Sequence, residues 1–482
     1  MTEPTKIEPM DDVRASLRGP KETWPAILAG FFWLSHAFDA GWLGFAVAAL
    51  PGALLLGTGV PAFLMPGDLR LHQFMALGGL LGVVLGVGAV FAVGPGAGLL
   101  LIGLSGVSVV AAGHLTAAMT PSTRDVPESP LTWRKAAEVA GDDVILSFMA
   151  STLQIPDAGE IAQIAREIEE ARVQFAERGV LEKPASYHRT PPPLEAPTLS
   201  AGRAGGVDYQ HMRFESGYEP PVDEPGRDRW LSYTPTRTAH AWLLQHDAPD
   251  RPWIVCIHGY QMGLPLIDLA AFRAAELHHE LGMNVLLPVL PLHGPRKIGR
   301  ISGDGFFTGN ALDSVHAVSQ AMWDIRRMLG WIRERGGERI GVYGLSLGGY
   351  HTAMLAGLEP DLACVIPGIP ASDFAELIWR HGPPTMIRSV EANGISQADM
   401  REVMTPASPL ALAPVVPKER RTIFAATCDQ LVSPAQVRDL WEHWDRPRIE
   451  WYPGAHLTFG LHENVRRAIR EAFRDAELTA RV

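Results

Sequence analysis

Gly344-Leu345-Ser346-Leu347-Gly348-Gly349 sets one serine between glycines, directly after the apolar run Ile340–Tyr343 and directly before an apolar helical stretch. A turn this tight between strand and helix strains the serine backbone, and the flanking glycines remove Cβ clashes. The hydroxyl then stands at the sheet edge over a helix N-terminus. A serine hydroxyl is a poor nucleophile unless a base takes its proton. Two later residues supply what is missing. Asp429 lies in Thr427-Cys428-Asp429-Gln430-Leu431-Val432-Ser433-Pro434, after the apolar run that ends at Thr427. His456 lies in Tyr452-Pro453-Gly454-Ala455-His456, after the next run. The spacing predicts Ser346 as nucleophile, His456 as base and Asp429 as the acid that orients it. Asp373 competes for the acid role, although its place before Phe374–Trp379 reads as a helix N-cap. An oxyanion needs fixed donors. His258-Gly259-Tyr260-Gln261 offers the Tyr260 N–H beside that of Leu347, with Gln261 as the alternative, while the Tyr260 ring reads equally as substrate lining or packing. In Pro291-Leu292-His293-Gly294-Pro295-Arg296-Lys297, Arg296 has the geometry to clamp a phosphate or carboxylate. The competing reading pairs Arg296 with a local acid such as Asp304 and makes His293 structural.

These residues need a frame. Trp253–His258, Asn284–Leu290, Arg339–Leu345, Ala363–Pro367, Arg421–Thr427 and Ile449–Tyr452 read as short buried strands. Helical stretches lie between several of them, at Leu266–Leu281, Ala311–Arg335, Leu347–Leu358, Pro434–Trp444 and Glu463–Ala476. Continuous apolar strands with crossover helices predict an α/β domain with a mostly parallel sheet covered on both faces. The acid and the base then fall at C-terminal strand ends, where such a sheet collects its site. Residues 371–417 are Pro-rich and take the position of a small cap, with Phe374, Ile378, Trp379 and Met386 to line a pocket or fill the cap core.

Over residues 207–482 the chain resembles the α/β-hydrolase superfamily, whose triads run in the order Ser…Asp…His. The segment Pro291–Lys297, the long helix before Ser346 and the ending His456–Phe473 are similar to the branch holding dienelactone-hydrolase-like esterases and acyl hydrolases implicated in cardiolipin deacylation. The resemblance implies a serine hydrolase that works through an acyl-enzyme.

The N-terminal part differs sharply. Residues 1–22 are a polar tail with Lys6, Arg14, Arg18 and Lys21 and no evident signal peptide. From Trp24 to Met119 the only formal charges are Asp39, Asp68 and Arg70. The pieces Pro25–Phe38, Trp42–Met65, Leu71–Val93 and Ala97–Met119 predict an all-α transmembrane region over residues 23–120. The last three are long enough to cross a bilayer, and the first is short. Four crossings put the basic tail, Arg70 and the basic residues after Met119 on one side, which the positive-inside rule makes the cytoplasm of a bacterial cell. Three crossings separate the two ends. Residues 121–206 read as a connector with a helix over Asp157–Arg178, a Pro-rich extended spacer at Thr190–Pro197 and a Gly-rich close at Ala201–Gly206.

Bulk properties narrow the function. The 482 residues carry a net charge of −11, so no basic field exists for nucleic acid. Mean hydropathy of +0.05 fits one concentrated apolar region. Cys256, Cys364 and Cys428 sit in apolar runs and lack metal-ligand spacing, so neither a disulfide frame nor a zinc site is expected. No cofactor or metal is implied. The expected partners are the bilayer and an ester substrate, lipid acyl esters before soluble ones. A serine peptidase or acyltransferase with the same triad, and a non-catalytic membrane scaffold, are the other readings, and oligomeric state stays open.

Overall fold

A computed structural model describes residues 20–37, 41–153, 155–248, 250–307 and 310–479. Most of the basic tail, with Lys6, Arg14 and Arg18, and the break at Asp39 lie outside the described residues.

Four apolar helices come first: α1 (Trp24–Ala37), α2 (Gly41–Leu64), α3 (Leu69–Ala92) and α4 (Pro95–Met119). Small residues let them touch. A Cβ on Gly82 would meet the Ser105 side chain and lie 3.0 Å from the Trp33 ring nitrogen, and that nitrogen donates to Ser105 Oγ at 3.0 Å. Outward the helices present Phe31, Val84, Phe91 and Leu99 to the surroundings. The stretches Gly44–Leu64, Leu69–Ala92 and Pro95–Met119 are long and apolar enough to cross a membrane. At 14 residues α1 is shorter, about 21 Å at 1.5 Å per residue. Trp24 at its start packs edge-on against Phe63 near the end of α2. The beginning of α1, the α2–α3 turn and the end of α4 therefore lie toward the C-terminal half, where Arg70 Nη2, on the first turn of α3, donates to Gly382 O at 2.9 Å.

Helix α5 (Trp133–Thr152) follows, unforeseen from sequence, and then α6 (Ala158–Glu177), opened by a capping box between Asp157 and Glu160. Neither is a tether. Ala140 of α5 joins the apolar cluster of Met75, Ala76, Ala112 and Leu115 at one end of the bundle. Ile168 and Phe175 of α6 belong to the core of the sheet-containing C-terminal domain. The expected spacer at Thr190–Pro197 is also docked: its Pro192 and Pro193 carbonyls, which an extended Pro-rich chain cannot pair internally, accept from Arg327.

The sheet begins at β1 (Thr198–Ala204), not at Val207 as the Gly-rich composition suggested. Gly205 and Gly206 both adopt positive φ, +57° and +82°, and close a hairpin onto β2 (Val207–Glu215). The order continues through α7 (Arg227–Ser232), β3 (Thr238–Leu244), β4 (Trp253–Ile257), α8 (Pro265–Ala271) and β5 (Asn284–Val289). Next come α9 (Ala311–Arg333), β6 (Ile340–Leu345), α10 (Leu347–Ala356) and β7 (Cys364–Gly368). Three short helices α11 (Phe374–His381), α12 (Pro384–Ala392) and α13 (Gln397–Val403) fill the expected cap interval. The chain ends with β8 (Thr422–Ala426), α14 (Pro434–His443), β9 (Arg448–Tyr452) and α15 (Glu463–Asp475). The expected helix over Leu266–Leu281 is broken at Arg273, whose φ is +50°.

Among the described residues nine strands lie in the order β1-β2-β3-β5-β4-β6-β7-β8-β9. The first three pairs, β1 with β2, β2 with β3 and β3 with β5, are antiparallel and the remaining five are parallel. One apolar face carries α9 and α10, the other α15. Strand β4 has β5 on one side and β6 on the other, so the winding reverses there. Ligands of such sheets bind beyond the carboxyl ends of strands at this reversal, which is where β4 leads into His258 and β6 into Ser346.

Candidate active site

Ser346 sits between β6 and α10 at φ 56° and ψ −113°, a conformation that residues with a Cβ rarely adopt. Its N–H donates to Gly368 O at 2.9 Å and its carbonyl accepts from Tyr350 N–H at 3.0 Å, so both neighbours hold the strain. The serine is half-buried while Leu345 and Leu347 are buried. Gly348 is required for close approach, because a Cβ there would fall on the Ile257 carbonyl at the end of β4.

The end of β4 lies beside the serine: a Cβ on Gly259 would be 3.5 Å from Ser346 Cβ. His258 braces this turn. Its Nε2 accepts from Leu290 N–H at 3.0 Å, which leaves Nδ1 to donate to Gly259 O at 2.8 Å. Burial pushes its pKa down, so the ring stays neutral. Gln261 turns the chain at φ +62°. The Tyr260 ring packs against Phe307 at 5.0 Å and His293 at 5.8 Å, and burial raises its phenol to about 12.

Asp429 and His456 meet. Asp429 Oδ2 is 2.6 Å from His456 Nδ1, while Oδ1 accepts from the N–H groups of Leu431 and Val432 at 2.9 and 2.8 Å. Both side chains are buried. Burial pushes the His456 pKa down, but the charge and hydrogen bond of Asp429, with Asp142 behind it, outweigh burial and hold it above the usual value. Asp373, the competing acid, caps α11 through Glu376 N–H at 3.1 Å and pairs with Arg401 at 2.7 Å.

Two sequence candidates are buried away from solvent. Arg296 is fully buried, donating to Val289 O, Thr236 O and Asp324 Oδ2 at 2.9, 2.8 and 2.8 Å. Its acid is therefore Asp324 of α9, not Asp304, which instead accepts from Ile301 N–H at 3.0 Å. A guanidinium without solvent exposure presents no fork to a ligand. His293 is likewise buried, with Nδ1 2.8 Å from Pro291 O and its ring against His258 and Phe306. Arg296→Ala is expected to cost about 3–5 kcal/mol of stability by leaving Asp324 buried without its partner. Denaturant unfolding checks this, and an unchanged midpoint with a raised KM would restore a substrate role.

Sequence reasoning missed Asp142. This carboxylate on α5 is fully buried and accepts from the N–H groups of Gln430 at 3.1 Å and His456 at 2.9 Å. Burial raises its pKa, and the nearby Asp429 charge adds to this. The only sequence signal was a pair of adjacent acids, Asp142-Asp143, inside an otherwise apolar stretch.

The strand order, the reversal at β4 and the strained serine between β6 and α10 define an α/β-hydrolase domain preceded by an all-helical region. The chain belongs to the same family as two uncharacterised proteins of Mycobacterium tuberculosis, MT2702 of strain CDC 1551 and Rv2627c of strain H37Rv. They are 41% and 40% identical to it over 345 residues, spanning 71% of this chain and 83% of each relative. Among solved structures it is similar to acetyl xylan esterase 1 from Thermoanaerobacterium at 15% identity and a TM-score of 0.44, over 63% of this chain and 93% of that one. No protein-family model matches the chain.

Proposed function

We propose that the protein is a membrane-anchored serine hydrolase that cleaves carboxylic esters, lipid acyl esters by preference. The observation that carries this reading is the pairing of His456 with Asp429 at 2.6 Å, in a sheet that also presents Ser346 on its strained turn. Asp429 engages Nδ1 of His456, which leaves Nε2 as the nitrogen for proton transfer. His456 takes the Ser346 proton as Oγ attacks the ester carbonyl, then gives it to the departing alcohol. Water, activated by the same imidazole, releases the acid from the acyl-enzyme. The N–H groups of Tyr260 and Leu347 are the donors assigned to the oxyanion.

The lipid preference draws support from the helical region. Helices α1–α4 present apolar side chains outward, Arg70 touches the cap, and Leu457 and Leu461 just after His456 are exposed. The protein is expected to stay with membranes after alkaline carbonate washing, and its catalytic half to resist protease added outside intact spheroplasts. Orientation follows from the basic residues gathered toward the catalytic half. Digestion of that half from outside would reverse the orientation, and full-length protein in the soluble fraction would reject the anchor.

The substrate class is tested by comparing the lipids of membranes from cells with wild-type protein and with Ser346→Ala. Accumulation of an acylated lipid in the variant is expected. Unchanged lipids, with wild-type protein turning over short soluble esters, would move the reading to soluble substrates.

A further inference from the structure

Helix α5 carries two adjacent buried carboxylates, Asp142 and Asp143, that the proposed mechanism does not use. They face opposite ways. Asp143 points to the bundle, where its Oδ2 accepts from Thr116 Oγ1 of α4 at 2.8 Å. Asp142 points to the catalytic loops. Its Oδ2 accepts from the N–H groups of Gln430 and His456 at 3.1 and 2.9 Å, and its Oδ1 from Leu457 N–H at 3.3 Å. A single oxygen thus joins the residue after the acid to the base itself.

Neighbouring contacts repeat the grip. Four residues earlier in α5, Glu138 Oε2 accepts from Thr458 Oγ1 at 2.9 Å and lies 3.0 Å from His462 Nε2. Between the two acids Val139 packs against Cys428 and Ala455, one on each catalytic loop. Gln430 Nε2 donates to Thr120 Oγ1, just past the end of α4, at 2.9 Å. On the other side α5 cannot back away from the loops into the bundle, because Gly113 of α4 leaves no room for even a Cβ against the Ala136 carbonyl. A carboxylate taken wholly out of water persists only where donors compensate it. Among the described residues, every hydrogen bond to Asp142 comes from a backbone N–H of the two catalytic loops.

We propose that Asp142 is a positioning residue for the triad: its carboxylate ties the acid loop to the base loop and makes the helix at the end of the membrane bundle a wall of the active site. This rests on the reading of Ser346, His456 and Asp429 as a triad. The charged groups facing His456 are Asp429 from the β8 loop and Asp142 from α5, with the Tyr452 hydroxyl on the His456 carbonyl. Those facing Asp142 are Asp429, His456, its neighbour Asp143, the Cys428 thiol and the Tyr452 hydroxyl. His381 of α11 stands on the cap side of the acid loop, bonded to Leu431 O.

The test uses full-length protein in membranes, a fluorophosphonate probe and a p-nitrophenyl ester. Asp142→Asn keeps the size but removes the charge and turns an NH₂ toward backbone donors. It is expected to lower kcat about 10- to 100-fold, the loss of one or two charge-assisted hydrogen bonds, with KM unchanged. The acid limb of kcat/KM is expected to move to lower pH and to become a single titration, since Asp142, pushed up to about 7 by burial and the Asp429 charge, binds its proton in the same range as His456, and its ionised form favours the His456 proton. Asp143→Asn, equally buried but turned to the bundle, is expected to stay within about two-fold of wild type, because Asn keeps an acceptor for the Thr116 hydroxyl. Wild-type kcat in Asp142→Asn, an acid limb that does not move, or an equal loss in Asp143→Asn would overturn the proposal. If Asp142→Asn does not accumulate, Glu138→Gln decides: a several-fold lower kcat at constant KM supports the grip, and wild-type kcat overturns it. Failure of the underlying reading looks different, because the wild-type protein itself would then not react with the probe at Ser346.

Discussion

Ser346→Ala is expected to lower kcat by roughly 10⁶-fold while leaving the fold intact. The size follows from what the side chain does. Without Oγ no acyl-enzyme forms, and His456 has no proton to remove, so nucleophile and base are lost together. What remains is the rate supplied by oxyanion donors and binding alone. Alanine adds no strain that serine did not already carry at φ 56°, so unfolding by denaturant should match wild type. Ester turnover measured beside that unfolding curve checks the prediction. A modest fall of ten-fold or less would mean that a different group attacks the ester.

Asp429→Asn is expected to cut kcat by roughly 10⁴-fold, the loss seen when an imidazole is held in the wrong tautomer. An asparagine can present NH₂ to Nδ1 and so place the proton on Nε2, where it must be absent for His456 to act as base. The pH profile gives a second sign. The neutral imidazole is the working form, so kcat/KM rises as pH passes upward through the His456 pKa. That pKa is held above the ordinary value chiefly by Asp429 against burial. The wild-type acid limb should therefore lie above about 6.5, the unperturbed histidine value, and move down in Asp429→Asn. Asp373→Asn is the control, since Asp373 serves Glu376 N–H and Arg401. A large loss there, with none in Asp429→Asn, would reassign the acid.

How much of this was legible in sequence depended on whether the signal was local. Five of the six parallel strands were readable because burial on both faces makes each a continuous apolar run, as in Trp253–Ile257, while the edge strand β9 is largely half-exposed and showed only its short Ile449–Tyr452 stretch. The strained turn at Ser346 and the meeting of Asp429 with His456 were readable because each residue follows a strand end. The hairpin of β1 and β2 was not, because its two strands at the sheet margin are largely exposed and its Gly205-Gly206 turn looks like linker. Helix α5 was hidden because its buried faces interleave Lys135, Glu138, Asp142 and Asp143 with Ala136, Val139, Ala140 and Leu146, so charged residues interrupt the apolar stripe. The Arg296–Asp324 pair and the Asp142–His456 contact join residues far apart in the chain, the latter by 314 positions, and no local pattern encodes such a meeting. Charged residues in apolar surroundings were the one clue, and it names a buried group without naming its partner.

The central claim, that Ser346 is an activated nucleophile, is tested most directly by mapping a fluorophosphonate adduct. The intact protein in its own membranes is treated with the probe at neutral pH, digested, and the modified peptide sequenced by mass spectrometry. The account predicts one adduct, on Ser346, lost in Ser346→Ala and formed far more slowly in Asp429→Asn. An adduct on another residue, or no reaction in folded wild-type protein, would contradict it.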